Sequence, residues 1–333
     1  MDPLSELYKR GVNRRKFLAG IGAAGAATAL AGCGSDNGLP SPTTTTTTSY
    51  NDVDILNFAL NLEYLEAEFY LRAATGSGLL AADVGSNPGT VTGGAQVTGL
   101  TTAQQNILNE IAYDEQEHVR FLRSAITAAG ATPVARPTID ITNSFNALAS
   151  AAGIGATFNP YANFNTFLVG AFVFEDVGVT AYSGAAPLIS TAGIAAGYLA
   201  AAAGILAVEA YHAAYVRTSL TGGAIAQGTT AYPYLTYANQ VSALRATLGG
   251  GNETALTIPS GTGPFVTTIP TPSAIIAATS ANAIAYARTT DQVLHIVYGS
   301  LSNTAGATTP AAGVAKGGFF PNGLNGNITV TQS

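Results

Sequence analysis

The 333-residue chain is poor in charge, since only 10% of its residues are Asp, Glu, Lys or Arg, against roughly 25% in ordinary globular domains. The formal net charge is −6, and the part from Cys33 onward holds 8 basic and 17 acidic residues. An acidic chain argues against nucleic-acid binding, which depends on neutralising phosphates, and a single cysteine excludes an intramolecular disulfide.

Residues 1–33 are predicted to be a processing segment. Arg14 and Arg15, in NRRKFL, resemble a twin-arginine export signal, and the stretch that follows is shorter than the ~20 apolar residues of a membrane span. The sequence LAGC ending at Cys33 resembles a lipobox, which predicts that Cys33 carries lipid. The alternative for a lone cysteine is a buried apolar side chain. Together these features predict a bacterial exported lipoprotein.

Residues 34–50 are predicted to form a disordered tether, because a Pro/Ser/Thr tract cannot bury a core. A lipid chain followed by a tether would hold the folded part at a membrane surface rather than within the membrane. The expected location is therefore the bacterial cell envelope, either periplasmic or on the outer surface.

Four helix-length segments follow the tether. Asn51 or Asp52 is expected to cap the first, and Gly76 lies just past its end. Pro187 should end the third helix. The connection 131–162 is long enough to cross a bundle, whereas a short loop would make its two flanking helices antiparallel neighbours. The predicted helices are 51–74, 101 or 102 to 129, 163–186 and 191–219.

The second and fourth helices each contain Glu-x-x-His near the middle. The pairs are Glu115 with His118 and Glu209 with His212. Residues three apart on a helix share a face, so each pair can direct a carboxylate and an imidazole at one point.

The first and third helices each carry a central glutamate with a tyrosine seven residues later. The pairs are Glu63 with Tyr70 and Glu175 with Tyr182. The chain therefore repeats a Glu helix followed by a Glu-His helix. This is the ligand set of a carboxylate-bridged dimetal site inside a four-helix bundle.

These motifs resemble the ferritin-like superfamily, which includes ferritins, rubrerythrins and manganese catalases. DEQEHVRFL is similar to the second-helix motif of rubrerythrin-type proteins. ALNLEYLEAEFY and GGFFPNGLNG are similar to exported ferritin-like proteins related to plant desiccation-associated proteins. The resemblance implies an all-α core, namely a ferritin-like four-helix bundle over residues 51–220 with a long crossover between its second and third helices.

The metal-site interpretation assigns two iron or manganese ions to this bundle, since carboxylates and imidazoles without thiolates suit these metals. Four carboxylates in one core would repel each other without cations. One alternative is that these residues are ordinary helix-surface charges. Another is that the fold is kept while metal binding or turnover has been lost. The expected ligands are Glu63 and Glu175 as terminal carboxylates, Glu115 and Glu209 as bridges, and His118 and His212 as one nitrogen donor for each ion.

Two sets of neighbours leave alternatives open. Glu66, one turn after Glu63, is either an additional ligand or a hydrogen-bond acceptor behind the ligands. Tyr70 and Tyr182 are expected to pack in the core, with a role as hydrogen-bond donors or redox-active groups near the site as the alternative.

The other ionisable residues near the motifs are expected to be structural or solvated. Asp114 is assigned to the surface, with orientation of a ligand imidazole as its alternative. Glu68 and Glu117 are predicted to be solvated, and His295 is interpreted as structural.

Residues 221–333 form an irregular C-terminal extension rich in Gly, Thr and Pro. It is predicted to wrap the bundle rather than form a second catalytic domain, and a small β element is the alternative. Helical patches are predicted at Tyr237–Leu248 and Asp291–Tyr298, and a short strand at Ile328–Thr331.

Two function hypotheses follow. The first is an exported dimetal oxidoreductase of oxidative or desiccation stress that acts on O2 or H2O2, with ferroxidase, peroxidase, catalase-like and oxygenase activity all open. The absence of a Cys-x-x-Cys segment argues against a rubrerythrin with its own electron-transfer iron. The second hypothesis is a non-enzymatic envelope protein with a binding or protective role.

Overall fold

The computed structural model of the chain describes residues 50–258, 275–299 and 313–330. The predicted export signal, Cys33 and all of the tether except Tyr50 lie outside the described residues. The described chain is mainly helical. Its elements in order are α1 (Asp52–Thr75), β1 (Val91–Thr92), α2 (Thr102–Ala128), β2 (Ile139–Asp140), α3 (Asn143–Ala152), α4 (Phe164–Ala185), a 3-10 turn (Ala186–Leu188), α5 (Thr191–Ala195), α6 (Tyr198–Gln227), α7 (Tyr234–Leu248) and α8 (Thr290–Val297).

Helices α1, α2, α4 and α6 form the predicted ferritin-like bundle, in which α1 packs along α2 and α4 packs along α6. Local capping sets where α1 begins. The Asn51 side chain accepts a hydrogen bond from the Asp54 amide at 3.0 Å, and the Asp54 carboxylate accepts one from the Asn51 amide. Gly76 ends α1 in the left-handed conformation, with φ of 81°. The predicted bounds of this helix are therefore correct within one residue.

The fourth predicted helix differs from the prediction at both ends. One helix over 191–219 was expected, but Gly197 adopts φ of 91° and separates the short α5 from α6. Helix α6 then continues to Gln227, because Leu220 and Ala224 still pack into the core. Pro187 lies in the 3-10 turn that follows α4, as the break predicted there requires.

The crossover from α2 to α4 is partly structured. Residues Val91 and Thr92 pair in parallel with Ile139 and Asp140, and α3 follows directly. Neither the strand pair nor α3 was predicted, because both are held by residues distant in sequence. The Ser144 hydroxyl, for example, donates to the Gly318 carbonyl oxygen at 2.6 Å.

The described parts of the C-terminal extension pack against the bundle. Helix α7 contacts α3, α4 and α6, while α8 contacts α4 and α7. The Phe319 ring packs against Phe145 and Phe174 at centroid distances of 5.2 and 5.0 Å. The strand predicted at Ile328–Thr331 is wrong over 328–330, where side chains enter the core without a partner strand in the described part of the chain. Thr331 lies outside the described residues.

A buried ion network fastens this extension to α4. Asp176, on α4, accepts hydrogen bonds from Arg217 at 2.8 Å and Arg245 at 3.2 Å. Glu253, beyond α7, accepts from Arg245 at 2.9 Å and Arg288 at 2.7 Å. All three arginines are fully buried. Since Asp176 directly follows Glu175, the network lies beside the bundle's central carboxylates.

Candidate metal centre

The six residues predicted as ligands meet in the middle of the bundle, and all are buried. Their donor atoms fall into two groups, in each of which all donor atoms lie within 4.8 Å of one another. Either group could hold a metal ion. Glu115 belongs to both groups, whereas Glu209, expected as a second bridge, belongs to the first only. The first group is Glu63, Glu115, His118 and Glu209, and the second is Glu115, Glu175 and His212.

The Glu115 carboxylate lies between the two histidines. Its Oε2 is 3.3 Å from His118 Nδ1, and its Oε1 is 3.0 Å from His212 Nδ1. Burial opposes ionisation, but the contacts with His118 and His212 outweigh it and lower the pKa of Glu115 to about 2. One ionised carboxylate thus belongs to both groups at once.

The other carboxylates of the cluster have raised pKa values. Burial raises the pKa of Glu63, and it raises that of Glu175 to about 8. It raises the pKa of Glu209 well above its usual range, with help from neighbouring carboxylates. Both Glu209 oxygens and Glu175 Oε2 lack a hydrogen-bond donor within the described residues. Buried acceptors without donors are costly, so these oxygens are suited to a cation.

The two histidines carry the compensating charge in the metal-free protein. Burial alone would lower the pKa of His118, but Glu63 and Glu115 outweigh it and raise that pKa to about 11. The pKa of His212 is raised to about 10 in the same way, by Glu175, Asp114 and Glu115. Both imidazoles are therefore doubly protonated and positively charged at neutral pH in the metal-free protein, and a bound metal would have to displace one proton from each.

Asp114 contacts the centre, contrary to its assignment to the surface. Its Oδ2 lies 3.2 Å from His212 Nε2, although the Asp114 side chain is still 31% exposed. A carboxylate at Nε2 leaves Nδ1 of His212 facing Glu115, so Asp114 orients the imidazole. This role was only the alternative expected from the sequence, because the contact joins α2 to α6 and depends on how these two helices pack.

Two tyrosines donate hydrogen bonds to glutamates of the centre that lie on another helix. The Tyr70 hydroxyl, on α1, donates to Glu175 Oε1 on α4. The Tyr182 hydroxyl, on α4, donates to Glu63 Oε1 on α1. Both rings are also buried in the core, so packing and hydrogen bonding occur together. Each tyrosine therefore orients the central glutamate of the other half of the repeat.

Glu66 is buried beside the cluster but belongs to neither group of donor atoms. Burial raises its pKa well above the usual range, and the charges of Glu115, Glu63 and Glu175 add to the effect. Glu66 therefore lies close enough to the predicted ligands for their charges to raise its pKa.

Glu68 was predicted to be solvated, and that prediction is wrong. Its side chain is fully buried, with Arg72 Nε at 2.9 Å from Oε2 and Arg136 paired with Oε1. Arg136 arrives from the crossover after α2, which local sequence does not show. Glu117 keeps a side chain 43% exposed and pairs with Arg120. His295 is buried on α8, and burial lowers its pKa.

Gly178 is a residue of the centre that the sequence interpretation missed. A Cβ at this position would overlap Glu209 Oε2 and come within 3.4 Å of Glu66 Oε1. Glycine in a helix interior is unfavourable by roughly 0.5–1 kcal/mol relative to alanine. A glycine three residues after Glu175, on the same helix, was therefore the feature of the sequence that could have indicated a role for Gly178. Its missing side chain leaves room for the Glu209 carboxylate.

Gly178→Ala is expected to lower the metal content and the stability of the folded protein, because the added methyl group must displace Glu209. Overpacking of this kind costs about 1–3 kcal/mol. Gly204→Ala is a matched control, since Gly204 is also helical but a Cβ added there would meet nothing within 4 Å. Metal analysis and urea unfolding would measure both effects. Equal metal content and stability in the two variants would contradict the role of Gly178.

Comparison with known proteins gives one family and two relatives. The family model of the ferritin-like domain matches residues 51–222. Ferritin-like catalase Nec2 of Nesocodon mauritianus is 31% identical over 286 residues, which cover 83% of this chain and 84% of that protein. Desiccation-related protein PCC13-62 of Craterostigma plantagineum is 31% identical over 281 residues, covering 80% of this chain and 82% of that protein.

Proposed function

Because the chain belongs to the ferritin-like domain family, we propose that it is an exported dimetal oxidoreductase that acts on hydrogen peroxide. The observation that carries the proposal is the position of Glu115, whose two oxygens face two separate groups of buried donors. A single shared carboxylate is what a pair of adjacent ions requires, and one isolated ion would not need it.

The donor set suits two ions of iron or manganese. It consists of carboxylate oxygens and imidazole nitrogens, with no thiolate in either group. Glu63, His118 and Glu209 would hold one ion, while Glu175 and His212 would hold the other. When bound, such a pair of ions supplies two-electron exchange with peroxide.

The protein's own residues prepare this site in three ways. Tyr70 and Tyr182 donate to Glu175 and Glu63, which leaves the second oxygen of each carboxylate directed into the cluster. Asp114 orients His212. Burial of the whole set excludes bulk water, so charges inside the site interact more strongly than they would in solvent.

Disproportionation of hydrogen peroxide is the reaction favoured here. One peroxide is reduced to water and another is oxidised to dioxygen, so no outside electron donor is needed. The chain has one cysteine and thus cannot carry a rubredoxin-type iron as an electron conduit. The relative from Nesocodon mauritianus is named a ferritin-like catalase, which supports peroxide as the substrate.

Iron or manganese is expected to raise the melting temperature more at pH 7 than at pH 5. His118 and His212, with pKa values of about 11 and 10, hold protons at both pH values in the metal-free protein, and the metal must displace them. Affinity then falls tenfold for each displaced proton when the pH drops by one unit. Over two units the metal-induced stabilisation should change by about 2.7 kcal/mol for each proton displaced.

Thermal unfolding with and without each metal would measure this difference. The double variant His118→Ala, His212→Ala should remain helical but lose most of the response. If neither metal moves the wild-type melting curve at either pH, the dimetal proposal fails. A folded protein that stays empty in excess metal would instead support the non-enzymatic envelope protein.

Export is the second part of the proposal, and it depends on Arg14, Arg15 and Cys33. Twin-arginine substrates generally cross the membrane folded, which would let the bundle acquire metal in the cytoplasm. Replacing both arginines with lysine should leave precursor in the cytoplasm, and mass spectrometry of the wild-type protein should find lipid on Cys33. Normal export of the double variant would refute the twin-arginine signal, and an unmodified Cys33 would refute the lipid anchor.

A further inference from the structure

A small apolar cavity reaches the carboxylate cluster from the side where α1 and α4 face each other. This inner cavity has a volume of about 20 Å³ and is lined by apolar side chains of both helices, together with Glu66 and Gly178. Its outer wall consists of Ile296 and Val297 of α8 and of Phe319. The inner cavity thus lies between the extension and Glu66, beside the centre.

A larger cavity continues on the other side of that wall. This outer cavity has a volume of about 190 Å³, extends between α3 and α7, and shares Ile296, Val297 and Phe319 with the inner cavity. Its lining also includes Ala147 and Ala151, both of which are exposed. The two cavities together lead from the surface to Glu66, with one layer of apolar side chains between them.

Glu66 is the polar group at the inner end of this path. It keeps 6% exposure, whereas Glu63, Glu115, Glu175 and Glu209 keep 0–1%. No hydrogen bond to its carboxyl group is found among the described residues. Because Gly178 has no side chain, the Glu66 and Glu209 carboxyl groups both border the space at position 178.

A second cavity near the centre is a weaker candidate. The bundle-end cavity has a volume of about 30 Å³ and lies between the four bundle helices near Phe121, Ala202 and Tyr182. Neither this cavity nor the inner cavity is lined by any of the six predicted ligands, but the inner cavity is lined by the Glu66 carboxyl group and the bundle-end cavity by no carboxyl group. The Tyr182 ring, whose hydroxyl donates to Glu63, stands between this space and the carboxylates.

We propose that the outer and inner cavities are the path by which a small uncharged molecule reaches the centre, with Phe319 and Val297 as its size-selecting wall and Glu66 as its first polar contact. A volume of about 20 Å³ exceeds the roughly 10–15 Å³ that one water molecule needs, which leaves room for a small molecule somewhat larger than water, such as hydrogen peroxide or dioxygen. Apolar walls exclude ions, because an ion without a polar partner is costly to bury. Hydrogen peroxide as the occupant rests on the proposed function.

Crystals of the mature full-length protein under xenon pressure test the path without any turnover. Xenon is expected in the inner cavity of the wild type and absent from it in Val177→Phe, whose larger side chain would fill that cavity. Xenon found only in the bundle-end cavity, or in neither cavity, would overturn the proposal. Val177 lines the inner cavity, and Ala202, in the bundle-end cavity, provides the matched control Ala202→Phe.

Kinetics of the metal-loaded protein give a second readout. Val177→Phe should lower kcat/KM for hydrogen peroxide by about tenfold with metal content unchanged, while Ala202→Phe should leave it unaltered. In a mixture of both peroxides, Phe319→Leu should raise the reduction of tert-butyl hydroperoxide to tert-butanol, with hydrogen peroxide oxidised to dioxygen as the electron donor. Equal slowing by the two phenylalanine variants would contradict the path. Xenon in the inner cavity of a protein without peroxide turnover would refute the proposed function and leave the path standing.

Discussion

Glu115→Gln is expected to remove metal from both groups of the centre at once. Glu115 is the one residue that both groups share, and its pKa of about 2 keeps it ionised at neutral pH. A neutral amide cannot replace that charge between His118 and His212. Metal content should therefore fall to background, and the metal-induced stabilisation, about 2.7 kcal/mol at a hundredfold excess of metal, should disappear.

Glu117→Gln is the matched control for this variant. Glu117 lies two residues away on the same helix, but its side chain is 43% exposed and pairs with Arg120. The control should keep its full metal content and peroxide turnover. Elemental analysis of both variants after export would measure the number of metal ions per chain. If Glu115→Gln retained two ions per chain, the bridging role of Glu115 would be wrong.

Asp176→Asn is expected to destabilise the metal-free protein by about 3–5 kcal/mol, the usual cost of removing one partner from a buried ion pair. Asp176 accepts from Arg217 and Arg245, which are 0% and 1% exposed, so the loss leaves guanidinium charge buried with less compensation. The packing of α7 against α4 should also weaken, since Arg245 lies on α7 and pairs with Asp176 on α4.

Urea unfolding in the presence of a chelator would measure this effect apart from metal binding. Glu117→Gln is a suitable control, because the Glu117 side chain is 43% exposed and its pair with Arg120 lies at the surface. Such pairs contribute about 0–1 kcal/mol. If Asp176→Asn lowered the free energy of unfolding by less than about 1 kcal/mol, water or Glu253 would be compensating the charge of the arginines, and the prediction would be wrong.

The bundle helices and the residues of the buried glutamate and histidine cluster were predictable because both depend on local spacing. Three-residue spacing places Glu115 with His118, and Glu209 with His212, on common helix faces wherever those helices pack. Caps such as Asn51 and glycines such as Gly76 are equally local, so the bounds of α1 followed from the sequence. The fourth helix was predicted less well, since the break at Gly197 also depends on how the chain turns after α4.

Contacts between distant segments were not predictable in this way. The solvated assignment of Glu68 failed because Arg136 comes from the crossover, and the surface assignment of Asp114 failed because His212 lies on another helix. The crossed hydrogen bonds of Tyr70 and Tyr182 likewise require a known register between α1 and α4.

The sequence by itself determined which donors the bundle would offer, since helix periodicity places each glutamate and histidine on a definite face of its own helix. Only the tertiary structure decided how those donors combine, which set Glu115 between two groups, gave Glu209 its room beside Gly178, and closed the α1–α4 side with Phe319. The physical reason is that the spacing along one helix is a local property of the backbone. The register between helices, and the position of a segment more than 100 residues away, depend on packing across the whole core.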